Sequence, residues 1–159
     1  FSCSILWFSY CVCLYQWIFY IEYLYCGYRC DMDEKKDEEE STMNEGEAAV
    51  TIAHAKQLIE CGVQASDIGI ITPYAAQVSL FPSLLASRKE HSVTRYHFPC
   101  YQVGFLSDHR RMNVAVTRAR RQCCLVCDTD TVSHDNFLKR LIEYFEEHGE
   151  YSSASEYVS

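Results

Sequence analysis

The chain has 159 residues, 48% apolar and 23% charged, which fits one domain able to bury a fair core. Its net charge of -8 excludes nonspecific attraction of nucleic acid to the whole surface, so any polyanion must meet a local patch. Ten cysteines raise disulfides and zinc, and only their spacing can decide between those and plain thiols.

Residues 1–30 differ in composition from the rest. They carry 11 of the 22 aromatics and five of the ten cysteines, with Glu22 and Arg29 as the sole charges. The uncharged run from Phe1 to Ile21 is long enough for a membrane-spanning helix of about 20 residues. Against that, it is rich in Tyr, Cys and Ser, lacks a basic flank, and does not begin with Met. The expectation is an apolar segment not native to the following fold, a mis-joined or translated noncoding stretch, with a transmembrane helix as the alternative. A secretory signal would need a basic start and a small-residue cleavage site. Residues 31–46 then form an acidic segment expected to be flexible: from Asp31 to Glu47 nine carboxylates stand against two lysines.

From residue 47 to 159 the pattern is that of an α/β domain. Asn44 and Glu47 have the N-x-x-E spacing of a helix start, in which the Asn caps a free amide and the Glu reaches back. A helix is predicted from Glu47 to Cys61, with Val50, Ile52, Leu58 and Ile59 as apolar positions and Gly62 just past its end. Ile68 to Thr72 reads as a short strand buried on both faces, ended by Pro73. Farther on, Met112–Arg121 suggests a helix, Cys123–Cys127 a strand, and Asn136–His148 a helix with a stripe of Phe137, Leu138, Leu141, Ile142 and Phe145. Such alternation predicts a mainly parallel sheet flanked by helices. Cys124 and Cys127 form a C-x-x-C inside that strand and have no second close pair, so reduced core thiols are expected rather than a metal site, in keeping with a nuclear or cytoplasmic protein. His54 and His148 are expected on helix surfaces.

The chemistry concentrates in GFLSDHRRMNVAVTRARR, Gly104 to Arg121, where five arginines gather in an otherwise acidic chain. Guanidinium forks suit phosphate oxygens, which they grip with two parallel hydrogen bonds. The alternative is a solvated helix face. RRMNVAVTRARR resembles motif VI of superfamily 1 helicases, in the up-frameshift-like branch that includes the immunoglobulin mu-binding protein. The resemblance continues over Asp31–Val78 and Val103–Tyr157, about two thirds of the chain, and leaves 1–30 and 79–102 unmatched.

The resemblance implies a RecA-like fold of the P-loop NTPase type, the second such domain of a helicase, here partial. The stretch LFPSLLASRKEHSVTRYHFPCYQ stands where the family has motif V with its Gln-Gly, so a central portion is expected to be missing. Arg118 matches the arginine finger that would stabilise charge on the transferring phosphoryl group. Arg111 and Arg120 would support it, Asn113 and Thr117 would position the loop, and Glu47 would assist ATP binding unless capping is its whole role. Thr72, Pro73, Tyr74 and Gln77, in TPYAAQ, resemble motif IV, with contacts to nucleic acid or ATP. The implied partners are single-stranded RNA or DNA and a first RecA-like domain that this chain lacks. ATP and Mg²⁺ would be bound mainly by that first domain, because no G-x-x-x-x-G-K-[ST] occurs here. The function so implied is half of an ATP-dependent 5′-to-3′ helicase, inactive alone, with membrane attachment not expected. Two alternatives stay open: a noncatalytic interaction module, membrane-attached through Phe1 to Tyr25 and docking an acidic partner, and a gene-model fragment.

Overall fold

The computed structural model of the protein describes residues 3–8, 22–25, 34–87, 100–102, 110, 113, 116 and 122–157. Helix α1, Glu45–Glu60, begins where Asn44 takes an extended conformation and its Oδ1 accepts the Glu47 N–H at 3.0 Å, the cap anticipated from the sequence. Its end is a Schellman closure: Gly62 N–H reaches Ile59 O at 2.9 Å and Val63 N–H reaches Leu58 O at 3.0 Å. Gly62 has φ of +99°, the left-handed conformation that glycine adopts without a Cβ penalty. Removing the cap acceptor by Asn44→Ala should destabilise the chain by about 1 kcal/mol, with Asn44→Ser near neutral, as read by urea unfolding. Equal midpoints for Ala and Ser would show that the cap contributes nothing.

A 3₁₀ turn at Ala65–Asp67 leads into strand β5, Ile68–Thr72, followed by helix α2, Ala75–Ser87. Strand β7, Gln122–Cys127, feeds a one-turn helix α3, Thr129–Val132, and then helix α4, Asn136–His148. Asp135 caps α4 by accepting from the Phe137 and Leu138 amides at 2.8 and 3.0 Å. With β1 (Cys3–Phe8), β2 (Glu22–Tyr25), β6 (Cys100–Gln102) and β8 (Glu150–Ser153), these strands build a sheet of order β6-β5-β1-β7-β2-β8. Pairs β5–β6, β2–β7 and β2–β8 are parallel, and β1 is antiparallel to both β5 and β7. Every described strand of this sheet except β1 therefore runs one way.

Two stretches behave in ways their composition did not reveal. The first thirty residues place β1 between β5 and β7, with Ile5 opposite both Ile71 and Leu125. Among the described residues no helix is long and apolar enough to cross a membrane. The acidic stretch forms a hairpin of β3, Lys35–Lys36, and β4, Thr42–Met43. Residues 79–102, unmatched by the resemblance, contain most of α2 and all of β6.

The core lies on both faces of the sheet, as period-2 alternation requires. Ile68, Ile70, Cys124 and Val126 pack on one face with Val50, Ile52 and Ala55 of α1 and Phe81 of α2. Ile71, Cys123, Leu125 and Cys127 pack on the other with Leu138, Ile142 and Phe145 of α4. Cys124 and Cys127, three apart, thus face opposite sides of one strand. His54 corrects an expectation: it is buried, not on the surface, and its Nδ1 lies 3.1 Å from the Tyr157 hydroxyl, with the two rings edge to face. Its covering partner lies 103 residues downstream, beyond the reach of local pattern. His148 is exposed and stacks on Tyr144, as a helix-end surface residue can.

Candidate nucleotide and nucleic-acid interface

Strand β5 ends at Thr72 because Pro73 has no N–H to continue the ladder. The chain turns there into α2, at the carboxyl end of a strand, where open α/β sheets hold their ligands. Thr72 and Pro73 are buried, and Thr72 Oγ1 faces its own loop, 3.5 Å from the Tyr74 amide. Tyr74 is half-buried, and its carbonyl accepts the Val78 N–H at 3.3 Å to close the first turn of α2. Of the four TPYAAQ residues singled out from the sequence, Tyr74 alone retains exposed surface.

Gln77 is fully buried. Its Oε1 accepts the Asn44 N–H at 2.7 Å and its Nε2 donates to the Asn44 carbonyl at 3.1 Å, so one side-chain amide grips both backbone groups of the α1 cap. Sequence reading assigned Asn44 to capping and Gln77 to nucleic acid, and had no signal for this pairing 33 residues apart. Glu47 sits beside it in the first turn of α1, 1% exposed, with its carbonyl accepting from Thr51 Oγ1 at 2.7 Å. A carboxylate in the first turn suits the positive end of the helix dipole.

The acidic hairpin covers the same corner. Ser41 Oγ accepts the Ala76 N–H at 3.1 Å, satisfying a first-turn amide of α2 that no helical carbonyl can reach. The hairpin tip is tied by Asp37 Oδ1, which accepts from the Glu39 and Ser41 amides at 3.0 and 2.8 Å. Glu40 takes φ of +59° in that turn. Lys35 pairs with Glu45 at 2.9 Å. Ser41 and Asp37 were not singled out from the sequence. An Asp followed by amides two and four residues on is the available clue, the local geometry in which Asp competes with regular structure.

On the arginine motif, Arg110, Asn113 and Val116 are helical, with Arg110 and Asn113 exposed. Val116 packs on the α4 side of the sheet, against the cluster of Ile71, Leu125, Ile142 and Phe145 that also seats Tyr74. The structure therefore seats Tyr74 of TPYAAQ and Val116 of the arginine motif on one sheet face. Arg111, Thr117, Arg118 and Arg120 lie outside the described residues. Among the described residues no group of three His, Cys, Asp or Glu side chains is arranged to hold a metal ion.

A family model described as an AAA domain matches residues 13–96 and 91–130, more than half of the chain, and begins within the compositionally distinct first thirty residues. The chain is 38% identical over 148 residues to DNA-binding protein SMUBP-2 of Rattus norvegicus, covering 81% of this chain and 15% of that protein. It is 33% identical over 129 residues to DNA polymerase alpha-associated DNA helicase A of Schizosaccharomyces pombe, covering 69% of this chain and 19% of that one. With the 5'-3' DNA helicase ZGRF1 of Mus musculus it shares 28% identity over 146 residues, 76% of this chain and 8% of the relative. The chain thus spans less than a fifth of the length of these relatives. It belongs to the AAA domain family and is a superfamily 1 helicase-like domain, similar to SMUBP-2.

Proposed function

We propose that this chain is the C-terminal RecA-like half of an ATP-dependent 5′-to-3′ helicase acting on single-stranded DNA or RNA, in the nucleus or cytoplasm. The observation that carries the reading is the shared seating of Tyr74 and Val116 on one apolar cluster, which supports a common ligand face for TPYAAQ and the arginine motif. A mixed α/β sheet with helices on both faces is compatible with the RecA-like part of the reading, and the antiparallel β1 is its departure from an all-parallel order.

In this reading Arg118 supplies the arginine finger, with Arg111 and Arg120 supporting it and Asn113 and Thr117 positioning the loop. Tyr74 offers its ring to a base or nucleotide, while Thr72, Pro73 and Glu47 hold the loop and α1 in place behind it. ATP would contact this chain through arginine at its phosphate end, and Mg²⁺ would be held by the first RecA-like domain. The chain alone is inactive, having no phosphate-binding loop.

The test is to titrate the full chain into a separately made superfamily 1 first RecA-like domain, with ATP, Mg²⁺ and single-stranded oligonucleotide, and follow phosphate release. Stimulation that saturates with added chain is expected. A flat titration, with both proteins folded, would sink the reading and favour a noncatalytic module.

A further inference from the structure

We propose that Gln77 is a positioning residue, whose buried amide locks the first turn of α2 to the cap of α1 and thereby fixes where Tyr74 stands at the ligand face. The inference rests on the nucleic-acid reading of Tyr74 given above.

Tyr74 and Gln77 lie three residues apart, on one turn, and the Val78 N–H to Tyr74 carbonyl bond makes that turn a single body. Tyr74 packs on the α4 side of the sheet, whereas α2 packs through Phe81 with α1 on the other. The first turn of α2 therefore bridges the sheet's two sides, and its position along and about the helix axis must be set by something specific. Apolar contacts seat the turn but are non-directional, so they do not fix its rotation and register by themselves. The two bonds of Gln77 do, because a planar amide facing both the N–H and the C=O of one residue fits in one orientation only. Ser41, accepting from Ala76, braces the same turn from the hairpin side. Gln77 touches no ligand in this scheme. Its effect on binding passes through Tyr74, and a displacement of about 1 Å in such a loop suffices for large losses.

The experiment is a double-mutant cycle on the full chain, read by fluorescence anisotropy of a labelled single-stranded oligothymidylate, with amide hydrogen exchange at Asn44 as a second readout. Tyr74→Ala should weaken binding about tenfold through loss of base stacking. Gln77→Leu removes both bonds, and Gln77→Glu keeps the acceptor for the Asn44 N–H but loses the donor, so the second variant serves should the first fail to fold. Each should weaken binding severalfold with Glu the milder, and neither should weaken it further once Tyr74 is already Ala. Asn44 amide exchange should rise about tenfold or more in Gln77→Leu and less in Gln77→Glu. Additive losses would overturn the proposal, since Gln77 would then act independently of Tyr74, and so would unchanged affinity in both Gln77 variants. Rapid Asn44 exchange in the parent chain would remove the clamp itself. No oligonucleotide binding by a parent chain with a slow Asn44 amide would instead overturn the nucleic-acid reading and, with it, the role assigned to Gln77.

Discussion

Arg118→Ala should lower the ATP turnover of the reconstituted pair, this chain with a first RecA-like domain, by about 10³-fold or more at saturating chain. The loss should fall on kcat with KM for ATP little changed, because a finger acts on charge that develops only in the transition state. Arg118→Lys should recover little, since an ammonium has no planar fork to span two phosphoryl oxygens. Arg110→Ala, a change at an exposed residue of the same motif, supplies the control for general loss of positive charge. Arg111 and Arg120 are assigned to support because they occupy matching positions in the motif. Equal turnover for Arg118→Ala and the parent, with both pairs assembled, would refute the finger.

Much of the scaffold around this site was legible because its signals are local. The apolar runs at Ile68–Thr72 and in QCCLVC have no polar face, so strands buried on both sides were the available reading, and the alternation of Cys123, Cys124 and Cys127 between two cores follows from period 2. The α4 stripe carries its own period, and Asn44 with Glu47, three positions on, spells a cap within four residues. What escaped depends on partners distant in the chain. His54 looked like a polar position on an amphipathic helix, and the Tyr157 hydroxyl that meets its Nδ1 comes from far along the chain. Gln77 looked like a ligand contact in a known motif, and its amide is instead matched to Asn44. In the acidic stretch, charge repulsion argued for a solvated segment, yet one carboxylate, Asp37, organises the turn by accepting two amides. The uncharged run at the start illustrates a different limit: apolarity without a period does not distinguish strand from helix, and β1 lies within the run whose length offered a membrane helix as the alternative.

Phe145→Ala should be among the most destabilising single changes in this chain, costing about 3–5 kcal/mol. Phe145 is 1% exposed and lies among Ile71, Leu125, Val132, Leu138 and Ile142, so truncation both forfeits its transfer free energy and leaves a cavity that two strands and a helix cannot easily collapse. For a domain of this size the melting temperature should fall by roughly 10 °C, measurable by scanning calorimetry. Tyr144→Ala, one residue away, should stay within about 0.5 kcal/mol of the parent, because Tyr144 is 49% exposed and stacks only on His148 among the ring pairs described. The contrast between neighbours separates burial from helix propensity, which the two substitutions change in the same direction. The same substitution bears on the site, because the cluster that loses Phe145 is the one on which Tyr74 and Val116 are seated. A variant still folded at low temperature should therefore bind single-stranded oligonucleotide more weakly than its residual stability alone would explain. Binding that instead tracked the folded fraction would mean that the apolar cluster supports the fold without setting the geometry of the ligand face.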